Sequence, residues 1–288
     1  MKIETFFDKD TFTLTYVVWD HQSSDAIVID PVLNYDPASS RYATDSVDQV
    51  TQFIADKQLR LHYILETHAH ADHLTGAQFV KARYPSAKVG IGENIRLVQK
   101  SLKHVFNFKE FNESGVQFDL LLEDNSEIYA GTLSIKTLFT PGHTPACVSY
   151  FVNQEIVFTG DVLFMHDYGT GRCDFPGGSA EAMYDSVTKK LYALPNRTRV
   201  FVGHDYLPGG RELRYESSIG EQKKQNPQLS EKTTKEAFVE AREERDAGLQ
   251  SPRLLLQSLQ VNMEAGKLPM PEENGMGYLK IPLRKRRD

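Results

Sequence analysis

The apolar positions of this chain follow two periods, and each period predicts its own kind of element. Residues 13–19 and 26–29 are runs of β-branched and aromatic residues on either side of the polar turn His21-Gln22-Ser23-Ser24, and they read as strands. Residues 31–45 are loop-like, with Pro31, Pro37 and several Ser and Asp. Val47, Val50, Phe53 and Ile54 then recur at helical spacing, with Asp45 as the expected cap. Residues 62–65 read as a short buried strand that ends at Thr67. Residues 74–82 have helical character, stopped at Tyr84-Pro85 because a residue before proline disfavours helical backbone. Strand-like runs recur at 87–91, 133–139, 147–151, 156–159 and 199–202. A helix over about 180–194, closed by Pro195, separates the last two. Strands and helices thus alternate in two rough halves, which predicts an α/β sandwich with two sheets inside and helices outside.

From about residue 231 the pattern changes. Charged helix-forming residues run through Arg245, and Pro252 opens a second helix over 253–263. The Pro- and Gly-rich stretch 265–282 is expected to be irregular. The expected organisation is therefore a catalytic domain over 1–230, with 231–288 as a helical extension and tail packed on it. The extension carries no assignable chemistry. There is no repeat at a solenoid period and no low-complexity tract.

Composition narrows the function classes. With 288 residues, 40% of them apolar, the chain can bury a core without staples. A net charge of −6 argues against non-specific binding to nucleic acid or anionic membrane. The basic run Arg284-Lys285-Arg286-Arg287 is too short to reverse that, and reads as a solvated terminus. Two cysteines, Cys147 and Cys173, suit a reducing compartment better than a disulfide framework. No positive-then-apolar leader opens the chain, and no run of about 18 apolar residues interrupts it. A cytoplasmic protein, forming a homodimer, is the expectation.

The chemistry concentrates in Thr67-His68-Ala69-His70-Ala71-Asp72-His73, where four metal-ligand types follow a strand end. His68 and His70 alternate by two, so extended backbone puts both on one side, and Asp72 and His73 are expected to begin the next helix. Neutral imidazole and carboxylate suit zinc, iron or manganese. Downstream stand His143 in Thr140-Pro141-Gly142-His143-Thr144, Asp161 in Phe158-Thr159-Gly160-Asp161, and His204 in Val202-Gly203-His204-Asp205-Tyr206. Each follows an apolar strand beside a glycine, whose backbone freedom lets the ligand turn out of the strand end. His21, His62, His104 and His166 have no ligand-like context, although His166 follows the Asp161 strand closely.

H-x-H-x-D-H followed by separate His, Asp and His resembles the metallo-β-lactamase superfamily over roughly residues 1–227. The resemblance implies an αββα sandwich with the site at one edge of the sheets. It leaves the reaction open, because the fold hosts many. The text from Thr67 to Gly76 is similar to the THxHADHxTG form of the persulfide dioxygenases. Gly171-Arg172-Cys173-Asp174-Phe175, His204-Asp205-Tyr206 and the run from Glu221 to Asn226-Pro227 resemble further stretches of that family. Residues 165–178 look most like its bacterial branch, which includes β-lactamase-like hydrolases. By this resemblance His68, His143 and Asp161 hold one Fe(II). His70, Asp72, His73 and His204 orient them. A thiol persulfide, expected to be glutathione persulfide, is oxidised with O2 and water to sulfite and free thiol in sulfide detoxification. Arg172 is expected to pair with a substrate carboxylate, its alternative being a salt bridge to Asp174, and Tyr206 to offer its hydroxyl. Where the animal type has a glutathione-holding arginine after Asn-Pro, this chain has Gln228. The loop from Asp161 to Arg172 is also about two residues longer. The carrier site is therefore expected from Thr144, Arg172, Tyr206, Arg211 or Arg214. Cys173 reads as a bystander thiol and Cys147 as core.

Two other readings stand beside this one. In a glyoxalase II-like thioester hydrolase, His68, His70 and His143 would hold one zinc, Asp72, His73 and His204 a second, and Asp161 would bridge. A degenerate member would bind metal or a partner without catalysis, but it should have lost a ligand, and none is lost.

Overall fold

The computed structural model describes residues 1–283, and the basic run 284–287 lies outside the described residues. The first half runs β1 (Lys2–Asp8), β2 (Thr13–Trp19), β3 (Asp25–Ile29), β4 (Val32–Asp36), β5 (Arg41–Ala43), α1 (Asp45–Asp56), β6 (Arg60–Leu65), β7 (Leu74–Thr75), α2 (Ala77–Arg83), β8 (Lys88–Gly92), α3 (Ile95–Val105) and β9 (Leu120–Leu122). The second runs β10 (Glu127–Ala130), β11 (Leu133–Phe139), β12 (Val148–Val152), β13 (Ile156–Phe158), α4 (Ala180–Asp185), β14 (Arg199–Phe201), β15 (Glu216–Ser218) and α5 (Ile219–Gln225). The extension adds α6 (Lys235–Ala247) and α7 (Leu255–Asn262), and no helix or strand follows α7 among the described residues.

Two six-stranded sheets form, in the orders β1-β2-β3-β6-β8-β9 and β10-β11-β12-β13-β14-β15. Side-chain alternation shows why the strands read as continuous apolar runs. Leu14, Tyr16 and Val18 of β2 join Ile27 and Ile29 of β3 in the core between the sheets. Val17 and Val28, one residue out of phase, pack instead with Val47, Val50 and Ile54 of α1. Both faces are covered, so both registers must be apolar. The extension clips into both layers: Phe238 of α6 joins the core shared by the second sheet, and Val261 of α7 joins the helix layer of the first.

Two expectations need correction, and one helix was not anticipated. Residues 31–45 are not simply loop: β4 pairs antiparallel with β5, and β4 also pairs with β7. Pro37 and its neighbours occupy only the turn, where Asp36 accepts the Ala38 N–H at 3.0 Å. Asp45 is the first helical residue rather than the cap, and Asn34 from β4 accepts the Ser46 N–H at 2.8 Å instead. Helix α3 has no counterpart in the sequence reading. Its buried Ile95, Val98 and Leu102 are helically spaced, but Leu97, 52% exposed, blurs the period.

The expected helix over 180–194 forms as α4 followed by a widened π turn over Ser186–Leu191.

Candidate metal centre

Strand order delivers every candidate ligand to one edge. β3 and β6 are parallel, with Ile29 opposite Leu65, so Asp30 and the Glu66–His73 loop leave the sheet together. β13 and β14 are likewise parallel and release Asp161 and His204 side by side. Gly160 has φ +50°, and a Cβ there would lie 2.5 Å from Thr67 Oγ1. A Cβ on Gly203 would lie 2.9 Å from Asp161 Oδ1. Both glycines are thus needed where the two sheets' loops meet.

Asp30 knots the loop that carries the histidine motif. Its carboxylate accepts the Thr67 N–H at 2.7 Å and the Thr67 hydroxyl at 2.8 Å, and it faces His70 Nε2 at 3.0 Å. Glu66 Oε2 is 3.3 Å from the same nitrogen. Asp72 and His73 do not begin a helix, as expected from sequence; α2 starts at Ala77. Leu74 and Thr75 are drawn into β7 by pairing with β4. The loop is also tied from the extension. Asn262 of α7 donates to the His70 and His73 carbonyls, both at 2.8 Å, and accepts the Thr75 N–H at 2.8 Å.

His68, His143 and Asp161 bring one donor atom each within 4.8 Å of the others, and His70, Asp72 and His73 do the same. Asp161 Oδ2 stands 3.9 Å from His68 Nε2 and 3.6 Å from His143 Nε2. Its Oδ1 stands 3.3 Å from His204 Nε2, which is also 3.5 Å from Asp72 Oδ2. Donors around one cation, each roughly 2.0–2.2 Å from it, sit about 3–3.5 Å apart, close to these spacings. His68 Nε2, His70 Nδ1, His73 Nε2, His204 Nε2 and Asp161 Oδ1 are buried without a hydrogen-bond partner. Buried polar atoms are rarely left so, and a cation would satisfy them together. The residues present fit a metal.

Electrostatics separates the histidines. Burial, with His70 and His143 nearby, holds the His68 pKa well below its usual value, and burial lowers that of His143 as well. Both rings are neutral, as ligands must be. For His70 burial is outweighed by Asp30 and Glu66, which raise its pKa well above the usual value. For His204 the Asp161 and Asp72 carboxylates likewise overcome burial and raise it. Asp72 is held well below the carboxylate range, because His204 and His73 outweigh desolvation.

An open cavity of about 200 Å³ lies over Asp161 and His143. Tyr206 lines it, stacked on His204 at 5.4 Å with a 10° interplanar angle. Arg172 also lines it, but Nε and Nη2 clasp Asp174 at 2.5 and 2.6 Å and Nη1 donates to the Gln250 carbonyl at 2.7 Å. Its fork is therefore engaged by the protein, the alternative weighed for it. Its backbone carbonyl lies 2.8 Å from His143 Nδ1, and because a carbonyl only accepts, Nδ1 carries the proton and Nε2 keeps a lone pair.

The other expected carrier contacts fall elsewhere. Arg211 is spread over Asp167 and Asp205. Arg214 donates its backbone N–H to Asp205 at 2.7 Å, and neither arginine lines the cavity. Thr144 Oγ1 pairs with Cys147 Sγ at 3.1 Å and faces a smaller apolar cavity. Burial pushes the Cys147 thiol up to about 12 and raises that of Cys173 further, so both are inert.

The sequence reading missed the extension's part in the site. Arg242 and Asp246, both buried, form an ion pair on α6. Arg242 donates to the Thr170 and Gly171 carbonyls and to Gln228 Oε1, and Asp246 accepts the Cys173 N–H at 2.7 Å. The segment that orients His143 is thus held from α6. Arg242, Arg245, Leu249 and Pro252 build one wall of the cavity. The only available signal was the charged helix itself, which looks like any solvated helix.

The family model described as "Metallo-beta-lactamase superfamily" matches residues 8–204, a span that holds all seven candidate ligands. "Glyoxylase B2" of Dictyostelium discoideum is 44% identical over 283 residues, covering 98% of this chain and 97% of that protein. "Persulfide dioxygenase ETHE1, mitochondrial" of Bos taurus is 31% identical over 265 residues, covering 92% of this chain and 88% of that protein. The crystal structure of ETHE1 from Myxococcus xanthus matches with a TM-score of 0.74 and 31% identity, covering 93% of this chain and 100% of that one.

Proposed function

Since this chain belongs to the metallo-β-lactamase superfamily, with persulfide dioxygenases among its relatives, we propose that it is an iron-dependent persulfide dioxygenase acting on a low-molecular-weight thiol persulfide, glutathione persulfide first. The net reaction joins a persulfide RSSH with O2 and H2O and releases RSH, sulfite and two protons. The observation that carries this reading is an asymmetry between the carboxylates of the two donor sets. Asp72 Oδ2 already receives hydrogen bonds from the Thr13 hydroxyl at 3.2 Å and His73 Nδ1 at 3.0 Å. Asp161, by contrast, turns Oδ2 toward His68 and His143 at distances too long for hydrogen bonds. Of the two carboxylates, the one beside His68 and His143 is thus the freer to take a metal, which supports the two-histidine, one-carboxylate set as its holder.

A ferrous ion bound by His68, His143 and Asp161 would supply redox chemistry and open positions for substrate and dioxygen. The protein's own part is orientation and exclusion. The Arg172 carbonyl fixes the His143 tautomer. Asp30 and Glu66 hold His70 by its Nε2. Phe164, Tyr168, Phe175 and Tyr206 give the cavity aromatic walls that limit water. Tyr206 is 37% exposed, yet desolvation in the concave wall and the Asp161 and Asp72 carboxylates raise its pKa well above the usual value. Its hydroxyl stays protonated and can donate to an anionic sulfur or oxygen.

One observation favours the dinuclear zinc thioester hydrolase: Asp161 offers separate oxygens to His68 and His143 on one side and to His204 on the other. Oxygen uptake and sulfite release with glutathione persulfide, compared with hydrolysis of S-lactoylglutathione, separate the two. Thioester cleavage without oxygen uptake would replace the proposal with the hydrolase.

A further inference from the structure

Within the cavity the fate of each cation can be followed. Three arginines line it: Arg172, Arg242 and Arg245. Arg172 is neutralised by Asp174. Arg242 is buried against Asp246, and its remaining donors go to backbone carbonyls and Gln228. Arg245 has no carboxylate within ion-pair distance among the described residues. Its guanidinium instead lies 5.4 Å over the face of Tyr168. A guanidinium stacked on an aromatic ring is held in place while its N–H edge stays free for a carboxylate.

The stack continues toward the metal cluster. Tyr168 packs on Tyr206 at 5.2 Å, and Tyr206 packs on His204 at 5.4 Å. One end of the cavity thus carries the acidic and imidazole donors, and the other a free cation, with an aromatic wall between them. Leu249 and Pro252 face the same space from the extension. A ligand suited to it is anchored by a soft or anionic atom at the donor cluster and bears a carboxylate several bonds away.

We propose that Arg245 forms a carboxylate subsite, so that the thiol carrier is an acidic one recognised by the C-terminal extension. This rests on the thiol-persulfide reading of the site and names its substrate class. Selectivity then comes from α6 rather than from the loops that carry the ligands.

The test is calorimetric titration of glutathione, glutathione diethyl ester and 2-mercaptoethanol into the metal-loaded protein, with Arg245→Gln and Arg245→Lys beside wild type. Arg245 is exposed and packs on one ring, so the variants are expected to fold, which circular dichroism checks. Arg245→Gln should weaken glutathione binding roughly tenfold or more, the scale of a lost charge-assisted contact, with partial rescue in Arg245→Lys. The diethyl ester should bind wild type as weakly as glutathione binds Arg245→Gln, and 2-mercaptoethanol should not distinguish the proteins. With glutathione persulfide the loss should fall on KM rather than kcat. Equal binding of glutathione by wild type and Arg245→Gln overturns the subsite, as does wild type that binds no glutathione. Arg245-dependent glutathione binding without oxygen uptake leaves the subsite standing and removes the dioxygenase reading instead.

Discussion

At the N-terminal ends of β3 and β6 the buried carboxylate of Asp25 accepts hydrogen bonds from Arg60, through Nε at 2.7 Å and through Nη2, and faces His62 Nε2 at 2.7 Å. At the C-terminal ends of the same two strands, Asp30 and the loop with His68 and His70 lead into a cluster of the same residue types. There His68 Nε2, His204 Nε2 and Asp161 Oδ1 are buried with no hydrogen-bond partner. A buried polar atom left unpaired costs about 1–3 kcal/mol, so the two ends differ in kind. The first is complete as it stands and ties strands together. The second presents unpaired donor atoms of the kind that a cation takes. Histidine and aspartate are structural or functional according to whether the fold has already supplied their partners.

Substitutions at the two ends should therefore have opposite signatures. The largest effect is expected from Asp161→Ala. Metal content and turnover should both fall below about a hundredth of wild type, more than the ten- to hundredfold typical of an outer-shell residue. The apo protein should lose less stability in urea than Asp25→Asn does, because Asp161 Oδ1 has no hydrogen bond to lose. Full metal content in this variant would remove Asp161 from the ligand set. At the other end Asp25→Asn should keep metal and turnover and lose stability instead.

Acid sharpens the same contrast on a smaller scale. Burial alone would raise the Asp25 pKa, but hydrogen bonds from Ser23, His62 and Arg60 outweigh it and lower the value to about 2. A carboxylate depressed in the folded state contributes stability above its unfolded pKa, near 4, and loses it as pH falls toward the folded value. The contribution is on the order of 2 kcal/mol at neutral pH. Urea unfolding of chelated wild type and Asp25→Asn should differ by that much at pH 7 and converge between pH 4 and 2. A gap independent of pH would mean that packing, not charge, holds this end.

The ligand end was legible because its chemistry demands particular residue types at strand ends beside glycine. His68, His70, Asp72, His73, His143, Asp161 and His204 could be named as candidates from that pattern, and the two-sheet architecture was expected from strands and helices alternating in two halves. The Asp25 cluster was not legible, because Asp25 and His62 belong to different strands and meet only through register. The same limit hid Asn262, Arg242 and Arg245. Each lies in a helical stretch with no motif, and acts through a loop or cavity far away in sequence. It also misdirected the choice of arginines. Arg172 and Arg211 sit near the ligands along the chain, but Asp174, Asp167 and Asp205 engage them. The short β4–β5 hairpin and the β7 pairing were lost among turn residues, so Asp72 and His73 were given to a helix that begins later.

Everything proposed for the site depends on His68, His143 and Asp161 holding a single iron. The most direct measurement is metal counting on protein purified without oxygen and reconstituted with excess ferrous and zinc salts, followed by desalting. About one iron per chain is expected, lost in His143→Ala and retained in His73→Ala. Two zinc ions per chain, with one lost in His73→Ala, would contradict it.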